Sequence, residues 1–124
     1  MNSLTPNLMV EDVNKTIEYY EKVLGFELSM NVPKTGKFDW AMMKHENVEI
    51  MFQERNNLIE EYPVLNEKTP GGGLTFYIRV KDVKKLHDEL KEKANIVLDL
   101  QKTFYGTEEF AIIDINGYIL TFSA

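Results

Sequence analysis

With 124 residues, 44% of them hydrophobic and 27% charged, the chain has an ordinary globular composition, enough for one core and too little for two independent domains. The formal net charge is −6 and the basic residues are scattered among acidic ones, which argues against nucleic-acid binding and favours neutral or cationic small ligands over polyanions. No apolar run approaches the roughly 20 residues that cross a bilayer, Met1 to Pro6 lacks the regions of a secretory leader, and the absence of cysteine excludes disulfides, thiolate metal sites and cysteine nucleophiles, so a cytoplasmic protein without membrane or nucleic-acid partners is expected.

From Leu4 to Val10 the pattern alternates as a strand, with Leu4, Leu8 and Val10 on one face and Thr5, Asn7 and Met9 on the other. Asp12 then has the place of an N-cap, and Val13, Ile17, Tyr20 and Leu24 form the apolar stripe of a helix that Gly25 stops. Strands are predicted over Phe26 to Val32, Phe38 to Lys44 and Val48 to Glu54. By parity Trp40 joins Phe38 and Met42 on the helix-facing side, a core role competing with ligand stacking. Arg55 to Gly73, with Pro63, Pro70 and three consecutive glycines, reads as a linker holding a short helix at Leu58 to Tyr62.

The pattern then starts again. Val10-Glu11-Asp12-Val13 recurs 70 positions later as Val80-Lys81-Asp82-Val83, and the same offset lays Asp39-Trp40-Ala41-Met42-Met43 over Glu109-Phe110-Ala111-Ile112-Ile113. Leu74 to Val80 alternates, with Thr75, Tyr77 and Arg79 on one face. Asp82 caps a helix striped by Val83, Leu86, Leu90 and Ala94. Strands follow at Ile96 to Leu100, Glu108 to Ile113 and Ile119 to Phe122, the last two joined by an Asn116-Gly117 turn.

The expected fold is therefore α+β: two tandem βαβββ modules, residues 1–54 and 74–124 around the 55–73 linker, forming a single domain. One continuous curled mixed sheet is expected, with both helices on its convex face and a concave ligand cleft. That cleft would be lined by Thr5, Asn7, Met9, Glu49, Met51 and Gln53 from the first module. Thr75, Tyr77, Arg79, Glu109, Ala111 and Ile113 would line it from the second.

The segments Val10-Glu11-Asp12, Tyr19-Tyr20 through Val23-Leu24-Gly25-Phe26, and Phe110 to Gly117 resemble the patterns of the vicinal oxygen chelate superfamily. That superfamily includes glyoxalase I, extradiol dioxygenases, and fosfomycin- and bleomycin-resistance proteins. The resemblance covers nearly the whole chain and implies the paired-module fold. In metal-dependent members, side chains from four strands hold one divalent ion, commonly His or Gln on each opening strand and Glu on each later one. The matching positions here are Thr5 and Thr75, each seven residues before a capping Asp, with Glu49 and with Thr121, four beyond Gly117. One carboxylate among three hydroxyls makes a poor metal site, so no metal or other cofactor is expected and Glu49 is only a weak candidate ligand.

The departure points to the bleomycin-resistance branch, whose members bind a drug without a metal in a groove usually shared by two subunits. Phe104-Tyr105-Gly106 is similar to that branch's aromatic-Gly element, although it also reads as a turn with aromatics packed at a sheet edge. The resemblance thus implies a metal-free homodimer that sequesters a small organic or cationic ligand through Asn7, Glu49, Met51, Tyr77, Arg79, Tyr105 and Glu109. No catalytic residue is assigned.

Each residue has a plainer reading. Arg79 could pair with Glu49 or Glu109 across the sheet, and Glu49 could be a solvated carboxylate rather than a general base. His45 reads as a turn residue and His87 as part of an amphipathic helix. Gly71-Gly72-Gly73 lacks the lysine of a phosphate loop, and no Ser-His-Asp set can be assembled. Two rivals stay open: a divalent-metal-dependent lyase, isomerase, dioxygenase or thiol transferase built around Glu49, and a partner-binding regulatory module with no small ligand.

Overall fold

The computed structural model describes residues 1–124, which divide into two compact units, Met1–Pro70 and Gly71–Ala124. The first unit runs β1 (Asn7–Val10), α1 (Val13–Lys22), β2 (Glu27–Val32), β3 (Trp40–His45), β4 (Val48–Glu54) and α2 (Arg55–Glu61), with a 3-10 turn at Pro63–Leu65. The second runs β5 (Thr75–Arg79), α3 (Val83–Leu90), β6 (Asn95–Lys102), β7 (Glu108–Ile113) and β8 (Ile119–Ser123).

Their topologies coincide. In the first unit the strands lie in the order β1-β4-β3-β2, and in the second β5-β8-β7-β6. The opening strand of each unit pairs in parallel with the last, and the other pairs are antiparallel. Every ladder stays within its unit, so hydrogen bonding produces two open four-stranded sheets where one continuous sheet was expected. The local pattern specifies which face of a strand is apolar, but holds nothing that selects a pairing partner across the linker.

Both helix starts follow from their caps. The Asp12 carboxylate accepts from the Lys15 N–H at 2.9 Å and that of Asp82 from the Lys85 N–H at 3.0 Å, satisfying a backbone donor left open in the first turn. At the other end of α1 the chain reverses through Gly25 at φ +74°, a conformation cheap only for glycine. The α1 stripe is buried at Val13, Ile17 and Tyr20, and the Tyr20 ring lies 4.8 Å from Phe52 and 5.5 Å from Phe26. In the second unit α3 buries Val83 and Leu90, and its His87 ring meets Phe110 edge-on at 5.1 Å. Each such apolar side chain removed from water contributes about 1.5–3 kcal/mol.

The linker is more structured than a connection. Glu54 ends β4 and caps α2, its carboxylate accepting from the N–H groups of Asn56 and Asn57. The helix therefore starts at Arg55, three residues ahead of its expected place, and anchors itself through buried Leu58.

Trp40 lies on the opposite face from the one expected. It pairs with Gln53, while its neighbours Ala41 and Met43 pair with Phe52 and Ile50 in the fully buried layer beneath α1. In the second unit it is Glu109 that pairs with Ser123, and Phe110 with Phe122. Gln53 and Ser123 are equivalent at the 70-residue offset, so Trp40 holds the ladder position of Glu109, not of Phe110. The similar strings of β3 and β7 are thus one residue out of step with the ladders, and a one-residue slip exchanges the two faces of a strand.

Candidate functional site

The helix-covered face of each sheet is core, so the opposite face holds the groups free for chemistry. In the first unit, registers place Asn7, Met9, Trp40, Met42, Glu49, Met51 and Gln53 on that face. Asn7 and Met51 are direct partners across β1 and β4. A polar relay runs along its β1 side: the Asn7 amide donates to Gln53 Oε1 at 2.8 Å, and Gln53 Nε2 donates to Asn57 at 2.7 Å and to Glu61 at 3.1 Å. This relay ties α2 to the sheet and satisfies Gln53, which is buried. Next to it Trp40, Met42 and Met51 form a partly exposed apolar surface.

In the second unit the corresponding face holds Thr75, Tyr77, Arg79, Glu109, Ala111, Ile113, Thr121 and Ser123. Glu109 is its centre. Only 6% exposed, it has no salt-bridge partner and is held by hydroxyls: Tyr105 donates to Oε1 at 2.7 Å, while Thr107, at 3.0 Å, and Tyr77 donate to Oε2. Tyr77 has a single proton, and while it is donated to the Glu109 carboxylate the 2.8 Å contact between the Tyr77 and Ser123 oxygens takes its proton from Ser123. Thr107 is positioned in turn by Thr103, whose hydroxyl accepts from the Thr107 N–H at 3.1 Å and lies 2.9 Å from the Thr107 hydroxyl.

These bonds set the protonation states. Donation from Tyr77, then Tyr105, holds the Glu109 carboxyl below its ordinary range against the opposing effect of burial. The Tyr105 hydroxyl is raised, first because ionising it would break its bond to Glu109. Glu109 is therefore an anion at neutral pH and a weaker base than a free carboxylate.

Of the residues singled out from sequence, the structure brings Tyr77, Tyr105 and Glu109 into one hydrogen-bonded cluster and sets Asn7 beside Met51. Arg79 is exposed and leaves the Glu109 oxygens to the hydroxyls, so the expected pairing with Glu109 does not form. Glu49 lies across from Lys44 on β3. Tyr105 contributes through its hydroxyl while its ring, like that of Phe104, stays exposed. His87 is engaged with Asp99 at 2.8 Å, and His45 stacks near Phe26 at 5.4 Å.

Sequence reasoning passed over Thr103, Thr107, Ser123, Asn57 and Glu61. Ser123 was within reach, because it stands 70 positions beyond Gln53 and Tyr77 the same distance beyond Asn7. The Asn7–Gln53 bond is thus repeated by the Tyr77–Ser123 contact. The other four gave no signal, since they act through loop and helix geometry.

A divalent ion requires converging donors. Thr5 lies just ahead of β1, Thr75 opens β5 and Thr121 lies in β8, all neutral hydroxyls, leaving Glu49 as the one charged donor. No three His, Asp or Glu side chains gather into a group suited to a metal. This donor set does not fit a divalent metal. No helix is long and apolar enough to cross a membrane.

Solved structures share this architecture. TioX from Micromonospora sp. ML1 is 21% identical and superposes with a TM-score of 0.78, covering 99% of this chain and 98% of its own. A hypothetical protein from S. aureus is 19% identical with a TM-score of 0.75, covering 100% of this chain and 94% of its own. The bleomycin-binding protein from bleomycin-producing Streptomyces verticillus, solved as a complex with copper(II)-bleomycin, is 20% identical with a TM-score of 0.67, covering 100% of this chain and 96% of its own. At these identities the likeness is one of fold. No curated protein matches the sequence. The sequence model of one family spans residues 2–122, almost the whole of the two βαβββ units, and the chain belongs to that family, the Glyoxalase/Bleomycin resistance protein/Dioxygenase superfamily.

Proposed function

We propose that this protein binds a small organic ligand on the sheet faces opposite its helices, without a metal ion, as a cytoplasmic homodimer whose groove is shared by two subunits. The observation that carries the reading is the pairing of a donor set unfit for a divalent metal with chemically finished surfaces on those same faces. Trp40, Met42 and Met51 offer polarisable apolar area, and Tyr77, Tyr105 and Glu109 offer an ordered polar cluster. Apolar area, as on the first face, and a few fixed polar groups, as on the second, are each features that small-molecule sites use. Bleomycin-binding proteins of the same superfamily, solved with bleomycin bound, support binding in place of bond breaking.

Trp40, the chain's single tryptophan, lies on the proposed binding face, so ligand screening by intrinsic fluorescence reads the site directly. A binding ligand is expected to shift the Trp40 emission saturably. The double variant Tyr77→Ala plus Arg79→Ala, with unchanged circular dichroism, is expected to weaken that ligand. Unaltered affinity would place the ligand elsewhere. A sedimentation profile showing only monomer at micromolar concentration would remove the shared-groove part of the proposal.

A further inference from the structure

We propose that the rings of Tyr77 and Tyr105, backed by the Glu109 carboxylate, form a subsite for an organic ammonium group. The inference rests on the ligand-binding reading above and names the chemical class of one end of the ligand.

Glu109 is a nearly buried negative charge whose hydrogen bonds are met by neutral hydroxyls. Hydroxyls satisfy lone pairs, but they do not cancel a charge, and buried charges are ordinarily matched by an opposite one. Of the module's six lysines, Lys84 lies 3.5 Å from Glu108 and Lys91 3.4 Å from Asp88, and none forms a salt bridge with Glu109. Arg79 shares a ladder row with Glu109, with Ser123 between them, and remains exposed.

The carboxylate is therefore screened from direct contact by the groups that hold it, and what faces outward is aromatic. Tyr77 is 53% exposed and Tyr105 55%, each with its hydroxyl turned inward to Glu109. A phenol that donates to an anion becomes more electron-rich, and ring faces of this kind attract alkylated ammonium groups. A bare metal cation would need oxygen ligands, and these oxygens are already engaged. The Phe104 ring, 5.0 Å from that of Tyr105, extends the aromatic surface.

The test uses the full chain, isotopically labelled and titrated with choline and with its neutral isostere 3,3-dimethylbutan-1-ol, read by amide and aromatic resonances. Choline is expected to move Tyr77, Tyr105, Thr107 and Glu109 saturably and to bind about tenfold more tightly than the isostere. Potassium chloride at equal ionic strength should leave these resonances in place. Glu109→Gln should abolish the preference for the cation. Tyr105→Leu, outside the strands, should weaken choline without disturbing the sheet and keeps the test informative if Glu109→Gln fails to fold. Equal shifts from choline and the isostere, shifts away from the cluster, or no saturable shift from either would overturn the subsite. The Trp40 emission assay reads the broader binding proposal separately, so the two can fail independently.

Discussion

Replacing Trp40 and Phe110 in turn by alanine tests the strand register on which the faces of both sheets depend. Aligned as text the two aromatics are equivalent, and their removal should cost the same. In the structure Phe110 is fully buried, with Phe122 at 5.2 Å and His87 at 5.1 Å, whereas Trp40 lies partly exposed on the other face of its sheet. Emptying the Phe110 site loses both the transfer of the ring from water and the contacts of its neighbours, together about 3–5 kcal/mol. Trp40 has a larger ring, yet its site is already open to solvent on one side, so its loss should cost about 1–2 kcal/mol. With a urea m-value of about 2 kcal/mol per M, these correspond to midpoint shifts of about 2 M and about 0.5–1 M. The assay is urea denaturation followed by circular dichroism, since the first variant lacks the fluorophore. Equal shifts, or a larger one for Trp40→Ala, would refute the register and with it the assignment of Trp40 to the ligand face.

Gly71 and Gly73 both adopt positive φ, +89° and +76°, but a side chain at Gly71 would meet the backbone of Asn116 and Gly117 at 2.8 Å while one at Gly73 would meet nothing. Gly71→Ala is therefore expected to lower the thermal midpoint clearly more than Gly73→Ala, which carries only the conformational cost of about 1–2 kcal/mol; equal losses would contradict the close approach. The Glu109 cluster also predicts a stability plateau in pH. Because Tyr77 and the other hydroxyls lower the carboxyl in the folded state, its contribution is fully present above the ordinary carboxylate pKa of about 4.3 and is lost as pH falls through the folded value. Tyr105 is raised, so its contribution is present below the ordinary phenol pKa of about 10 and is lost as pH rises through the folded value. Denaturation midpoints across pH, compared with those of Glu109→Gln, should differ least at the acid end, and a constant difference at all pH values would contradict the assignment.

Much of the fold was legible because local rules decide it. The capping aspartates, the Gly25 stop and the bounds of β4 and β7 follow from residues acting on their own neighbours, and alternation placed Leu8 and Val10 of β1 and Phe76 and Ile78 of β5 on the face opposite Asn7 and Tyr77. Leu4, however, read on the same face as Leu8, lies ahead of β1 and is exposed. Where alternation fails the reading fails with it: Trp40, Ala41, Met42 and Met43 are all apolar, so nothing in β3 marks its inner face, and only hydrogen bonding to β4 resolves it. The division into two sheets was illegible for a related reason, since strand pairing is chosen between segments far apart. At the site, Tyr77 and Glu109 could be placed on one face, but the hydroxyl box around the carboxylate draws Thr107 and Tyr105 from a loop and Ser123 from a neighbouring strand. Thr107 and Tyr105 reach the carboxylate through loop closure and not through any repeat in the chain, whereas Ser123 follows from the 70-residue offset to Gln53.

The central claim, a member of this superfamily built to bind without a divalent ion, is tested most directly by titrating the dialysed, tag-free protein calorimetrically with nickel, zinc, manganese and ferrous iron. Thr5, Thr75 and Thr121 beside the lone Glu49 predict no stoichiometric uptake of any of the four. Tight one-to-one binding that Glu49→Ala abolishes would contradict the account and favour the metal-dependent alternative.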